Sequence, residues 1–310
     1  MYTVAISGSL AYDHIMDFPD LFRNHFLPDK LHNINVSFNI RDHAEHFGGT
    51  AGNIAYTLAL LEEKAGIIAT AGNDFSRYAE HLRAAGLDLE SVHIVEDLAT
   101  SFAYILTDRA DNQISAFYPG AGARPYAADL PACTIAILAP GSLEDMRAFP
   151  EIFRKLQLPF FFDPGQAIPA LSSDELRNGI EGAEAVFTND YEFTLLCQRT
   201  GWNEADILNH AKTCVITMGA EGTRLLLRNG GFKIAGVPTD KLVDPTGAGD
   251  AFRAGYAKGY LAKLPAEQCI RLGSAAAVYA VESVGTQAHR FTMTEFRQRF
   301  ESAYSEKCPV

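Results

Sequence analysis

Residues 244–255 read Asp-Pro-Thr-Gly-Ala-Gly-Asp-Ala-Phe-Arg-Ala-Gly. Three small residues, Gly247, Ala248 and Gly249, stand just before a helical run that begins with Asp250. A loop of this kind leaves backbone N–H groups without helical acceptors, and the helix dipole adds positive potential, so the place favours an anion. A carboxylate beside an anion cradle costs repulsion. That cost makes sense if Asp250 faces a hydroxyl that must lose its proton while a phosphoryl group arrives. The competing reading is an aspartate that only caps its helix. Phosphoryl transfer asks for positioning and charge stabilisation more than for covalent chemistry. The chain has neither a Walker A sequence nor a G-x-G-x-x-G run, so the 247–249 loop would have to serve as the phosphate cradle.

Other groups have the right types for a polyol and a nucleotide. Phe-Gly-Gly-Thr-Ala-Gly-Asn-Ile-Ala at 47–55 pairs two glycines, Gly48 and Gly49, with Asn53 near a helix start. The glycines permit close approach, and the amide both donates and accepts. Asp13 follows the first apolar run, where a carboxylate can take hydrogen bonds from two neighbouring hydroxyls. In Asn189-Asp-Tyr-Glu192, an asparagine before a helix with glutamate three residues later has the pattern of a capping box. Thr217-Met-Gly219-Ala-Glu-Gly222 follows another apolar run.

Taken together, the 244–255 and 47–55 motifs resemble the signatures of the ribokinase-like (PfkB) family of carbohydrate and nucleoside kinases, and the fit extends from Gly8 to Thr286. The resemblance implies a three-layer α/β/α body with a mainly parallel central sheet, plus a small antiparallel β lid. The implied body is 1–10, 46–98 and 120–310, and the implied lid is 11–45 and 99–119. It makes Asp250 the base and the amides of 247–249 the anion hole. It makes Gly48–Gly49 the hinge, and it gives Asp13 and Asn53 to the hydroxyls of the acceptor. Asn189 and Glu192 would organise Mg2+ and its waters near the triphosphate of ATP. Thr217, Gly219 and Gly222 would line the phosphates, and Ser274, within the small-residue helix 273–285, would border the adenine. Asp244 and Thr246 match positions whose carbonyls hold a monovalent cation such as K+ in some members.

Composition agrees with an ordinary soluble globular protein. The 310 residues are 47% apolar and 21% charged, enough for one large domain or two smaller ones. A net charge of −12 disfavours nucleic acid and anionic membrane as partners. No apolar run reaches the roughly 18 residues of a membrane helix, and the first residues read as a strand rather than a signal peptide. Five scattered cysteines without a Cys-x-x-Cys pair suit reduced thiols and a cytoplasmic setting. His43 and His46, the closest histidine pair, lack partners at a metal-binding spacing.

Short apolar runs alternate with helix-period segments. The expected strands are 4–7, 67–71, 134–139, 160–163, 185–188 and 214–217. The expected helices are 52–63, 76–86, 145–157, 191–199, 204–212, 249–263, 266–283 and 294–304. That alternation predicts a parallel sheet covered on both faces, with ligands at the C-terminal strand ends. Residues 33–40 alternate strictly between polar and apolar and predict a further strand. Residues 101–107 and 113–118, joined by a turn-forming group at 108–112, predict a hairpin.

The acceptor is less sharply written. Thr50 stands where ribokinases proper carry a lysine after the paired glycines, which points away from a free pentose. The stretch 111–121 resembles bacterial adenosine or nucleoside kinases, although Gly122 replaces a methionine common in that branch. Tyr104, Phe117 and Tyr118 suit either nucleobase stacking or the dry face of a lid. The expected function is ATP- and Mg2+-dependent phosphorylation of a primary hydroxyl on a ribose-containing molecule, foremost a nucleoside such as adenosine. A free sugar or sugar phosphate is the alternative acceptor, and a non-catalytic ligand-binding protein of the same fold is the remote one. The resemblance allows a monomer or a homodimer formed through the lid.

Overall fold

A computed structural model of the chain describes residues 1–27, 29, 33–110 and 112–310. Asp111, within the expected turn at 108–112, lies outside the described residues. The body is built on a nine-stranded sheet in the order β13-β12-β11-β10-β9-β8-β1-β4-β5. Its strands are β1 (Tyr2–Ser7), β4 (Ala65–Gly72), β5 (Val92–Val95), β8 (Cys133–Leu138), β9 (Phe160–Phe162), β10 (Ala185–Asn189), β11 (Thr213–Thr217), β12 (Thr223–Leu227) and β13 (Gly230–Ile234). All pairings are parallel except those of β12 and β13, which close one edge as an antiparallel hairpin.

Side-chain alternation splits the core into two layers. Val4, Ile6, Ile135 and Ile137 pack into the layer under helices α1 (Thr50–Leu60), α2 (Ser76–Ala84), α7 (Ala248–Leu261), α8 (Ala266–Val281) and α9 (Met293–Tyr304). Their neighbours Ala5, Ala136 and Leu138 face the opposite layer, under α3 (Leu143–Lys155), α4 (Ser173–Ile180), α5 (Asp190–Thr200) and α6 (Glu204–His210). Three consecutive phenylalanines, Phe160 to Phe162, are all buried, as a strand covered on both faces requires. Each such ring contributes about 1.5–3 kcal/mol of burial energy. Phe252 and Tyr256 of α7 pack on Phe187, and Tyr256 also meets Phe161, which fixes that helix on the sheet.

A second, four-stranded sheet runs β3-β2-β6-β7, from β2 (Ala11–Asp17), β3 (Asp42–Gly48), β6 (Ser101–Thr107) and β7 (Gln113–Tyr118). Its outer pairs β2–β3 and β6–β7 are antiparallel and meet along a parallel β2–β6 contact. The strand expected at 33–40 is absent. Residues 34–40 lie without strand pairing, and the alternation does not mark a dry face, because Ile34 and Ile40 are exposed. Phe38 alone folds inward, against Phe18 and Phe22. The pairing partner of β2 is instead 42–48, whose mixed sequence carries no clear period.

Sequence also missed α4, although Ser172 and Glu175 form a full capping box at its start. All five cysteines are free thiols. Among the described residues, no helix is long and apolar enough to cross a membrane.

Candidate active site

The strand order reverses at β1, with β4 added on one side and β8 on the other, and a crevice opens at the C-terminal strand ends there. A cavity of about 450 Å³ occupies it. Its walls bring together Asp13, Gly49 and Asn53 from one side, Asn189, Glu192 and Thr217 from the other, and Thr246, Gly247, Gly249 and Asp250 at its base. These residues come from segments far apart in the chain. Gly48 stands directly behind the wall, Ala248 belongs to the first turn of α7, and Asp244 anchors the loop before it. Gly219, Gly222 and Ser274 do not line this cavity; Ser274 is buried on α8.

Each position has a local cause. Gly49 adopts φ +88°, and a Cβ there would come within 2.6 Å of the Ser9 carbonyl, so the turn from β3 into α1 requires glycine. A Cβ at Gly48 would collide with the Asp13 carboxylate, so the bare backbone is what lets Asp13 sit inward. Thr50 lines the cavity, but its hydroxyl is engaged by the backbone. Its hydroxyl donates to the Pro140 carbonyl at 2.7 Å and accepts from the Ser9 amide, tying the β1 loop to α1.

At the other wall, Asn189 and Glu192 do form a capping box. Asn189 Oδ1 accepts from the Glu192 amide at 2.7 Å, and Glu192 Oε2 accepts from the Asn189 amide at 2.8 Å. Both residues nonetheless line the cavity, so the capping box leaves them at the site.

Gly247, in the left-handed conformation, is the N-cap of α7. The amides of Gly249 and Asp250 thus fall in the first turn, where no helical acceptor exists. Asp250 stands half-buried beside them, and its Oδ2 accepts from Asn53 Nδ2 at 2.8 Å. Burial pushes its carboxyl up from the ordinary range, while Arg253 and the Asn53 hydrogen bond oppose the rise. Burial likewise lifts Asp13 to about 6, countered by His46 and reinforced by the negative charges of Asp250 and Asp244. The Asp244 carboxylate accepts from the Thr246 amide at 2.9 Å and the Gly285 amide at 3.0 Å, which holds the 244–247 loop in place.

Two partners escaped the sequence reading. Asp163, just past β9, grips Arg253 of α7 through a hydrogen bond from Nη2 to Oδ1 at 2.8 Å and an ion pair between Nε and Oδ2. Both side chains are buried, and both line the cavity. A Cβ at Gly249 would lie 2.6 Å from Arg253 Nη1, so the guanidinium rests directly under the anion cradle. Burial pushes Asp163 up to about 7 even against this arginine. Arg253 was visible inside the 244–255 motif, but its partner lies 90 positions away and left no local signal.

Strand parity settles the three aromatics. Phe117 pairs with Ala103, and Ala103 with Asp13, so Phe117 shares the cavity face and lines it. Tyr104 and Tyr118 fall on the opposite face, where Tyr104 stacks on His14 and Tyr118 packs on Phe102.

A family model described as pfkB family carbohydrate kinase matches residues 11–292. The chain belongs to that family. It is 30% identical to a nucleoside kinase of Methanothermobacter thermautotrophicus, over 98% of this chain and 97% of that one. A structure of Burkholderia thailandensis nucleoside kinase in complex with inosine superposes with a TM-score of 0.89 at 36% identity, covering 98% of this chain and 99% of that one. Ribokinase from Thermotoga maritima, at 20% identity and a TM-score of 0.80, shares the fold. The free amides of the first turn of α7, the half-buried Asp250 carboxylate and the inward Asp13 therefore sit on a kinase framework.

Proposed function

We propose that this protein is an ATP-dependent nucleoside kinase that phosphorylates the 5′-hydroxyl of its substrate's ribose. The observation that carries the reading is the half-buried Asp250 carboxylate set in the first turn of α7, between free amides and the wall of the cavity that Asp13 and Asn53 line. The relatives support the nucleoside: one is a nucleoside kinase, and the Burkholderia enzyme has been seen with inosine and with ADP-inosine.

In this reading Asp13 and Asn53 receive the ribose hydroxyls, and Phe117 covers the base. The smaller sheet, residues 11–45 and 99–119, acts as a lid that turns about Gly48–Gly49 and excludes water. Asp250 takes the 5′-hydroxyl proton as the new O–P bond forms and the bond to the β-phosphate oxygen breaks, releasing ADP. The Gly249 and Asp250 amides, backed by the Arg253 guanidinium, stabilise the charge on the moving group. Asn189, Glu192, Thr217, Gly219, Gly222 and Ser274 are assigned to ATP.

Glu192 has one carboxylate oxygen engaged by the Asn189 amide and a second left for the cavity, which suits a Mg2+ held through water. Bound there, Mg2+ would neutralise phosphate charge. The carbonyls of Asp244 and Thr246 would serve a monovalent cation in the loop that the Asp244 side chain fixes.

The deciding experiment is steady-state ADP release with adenosine, inosine, ribose and fructose as acceptors, for wild type and Asp250→Asn. Turnover with nucleosides, reduced by about 10²- to 10⁴-fold in kcat in the variant with ATP binding retained, is expected. Turnover with free sugars alone would replace the acceptor, and a variant within about tenfold of wild type would remove Asp250 as base.

A further inference from the structure

Behind the cavity wall, four side chains form a single hydrogen-bonded file. Asn53 Nδ2 donates to Asp250 Oδ2 at 2.8 Å, and Gln287 Nε2 donates to Asn53 Oδ1 at 2.9 Å. The same Gln287 nitrogen donates to the Tyr78 hydroxyl, which donates to the Gly48 carbonyl at 2.7 Å. Gln287 and Asn53 are about 95% buried, being 5% exposed each, and Tyr78 is fully enclosed. We infer that Gln287 is a positioning residue for Asp250, acting through Asn53, and that through Tyr78 it ties the base to the backbone at Gly48.

The polarity of the file is forced from both ends. An ionised Asp250 and the Gly48 carbonyl can only accept. Asp250 therefore selects Nδ2 of Asn53, which turns Oδ1 toward Gln287. Gln287 must then present its NH₂ group, whose second proton goes to the tyrosine oxygen, freeing the phenol proton for Gly48. Turning either amide over sets two acceptors face to face.

The fold accepts a cost to keep this order, for Gln287 Oε1 is buried without a hydrogen-bond partner. It also reserves space: a Cβ at Gly52 would come within 2.0 Å of the Tyr78 oxygen. With Oδ2 of Asp250 held by Asn53, Oδ1 is the oxygen left for the acceptor hydroxyl. The charged groups around Asp250 are Arg253 on its own helix, Glu192 on α5, Asp163 beyond β9 and Asp13 on β2, and a change at 287 alters none of them.

This inference rests on Asp250 being the base of the proposed kinase. The test compares the full-length protein with Gln287→Met, Tyr78→Phe and Asp250→Asn, using ATP, magnesium and inosine. Gln287→Met keeps the volume and removes the donors. It should keep a cooperative thermal transition, hold KM for inosine within about threefold, and lose roughly 10- to 100-fold in kcat through misplacement of the base.

The acid limb of its kcat–pH profile should move to higher pH, because Asn53, no longer held by Gln287, donates less firmly to Asp250 and opposes its rise less. Tyr78→Phe should shift the limb the same way with a smaller loss, and it carries the test alone if Gln287→Met does not fold. An inactive Asp250→Asn beside a Gln287→Met of wild-type kcat and unmoved pH profile overturns the inference and leaves the base standing. An active Asp250→Asn overturns both.

Discussion

Asp13 leaves β2 toward the bare backbone of Gly48 and shares the cavity with Asp250. Burial raises its carboxyl to about 6, well above a free aspartate. The ionised form is the one that accepts two hydroxyl hydrogen bonds, and it is lost as pH falls through that value. The KM for nucleoside should therefore climb on the acid side with a midpoint near 6, measured as kcat/KM against pH. Asp13→Asn should raise KM at every pH and abolish that dependence. A wild-type KM that stays flat from about pH 5 to 8 would detach Asp13 from the ribose. At this scale much was legible in the sequence, because Asp250, its small-residue loop and Asn53 lie within short contiguous motifs. Arg253 with Asp163, and Gln287 with Tyr78, were not legible, since each pair is joined only by tertiary folding across 90 and 209 positions.

Strand β7 shows how an element assigns work among similar residues. Its six residues are all exposed, so composition gives no inner face, and only pairing with β6 orients them. That register puts Phe117 over the cavity and Tyr104 and Tyr118 outside it. Base stacking on an aromatic ring is worth about 1–3 kcal/mol. Because Phe117 is 61% exposed before any ligand arrives, the lower part of that range applies. Phe117→Ala should raise nucleoside KM by about 5- to 20-fold, and Tyr104→Ala should change it by less than about twofold. Equal effects from the two would mean that the register does not govern recognition.

Element boundaries followed the buried periodicity along the central strands and the long helices, while the edge strands β5, β12 and β13 and the smaller sheet's β2 and β3 were not expected from the sequence. Periodicity also failed at 33–40, where alternation accompanied no partner strand, and at α4, whose short span left the capping box as its main signal.

The whole molecule is two sheets with unequal anchorage. The larger is sealed by helices on both faces. The smaller has its own cluster of Phe18, Phe22 and Leu106 at its far end and meets the body near Gly48. There the Thr286 hydroxyl donates to the Phe47 carbonyl at 2.7 Å, and the Tyr12 hydroxyl donates to the Asp74 carbonyl at 3.0 Å. A unit fixed at one end can rotate as a body. Nucleoside binding should slow amide exchange in 42–48 and 113–118 while β8 to β11 stay unchanged. Uniform slowing across both sheets would argue against closure.

Four carboxylates, Asp13, Asp163, Glu192 and Asp250, border the cavity with Arg253 as the one guanidinium among them. An uncharged nucleoside enters such a place without electrostatic penalty. The product leaves with about 1.5 to 2 negative charges that the substrate lacked. Once ADP has left, the carboxylates not paired with Arg253 oppose that added charge, so turnover itself weakens the hold on its product. The corresponding observation is a nucleoside monophosphate that inhibits only at concentrations far above the nucleoside's KM.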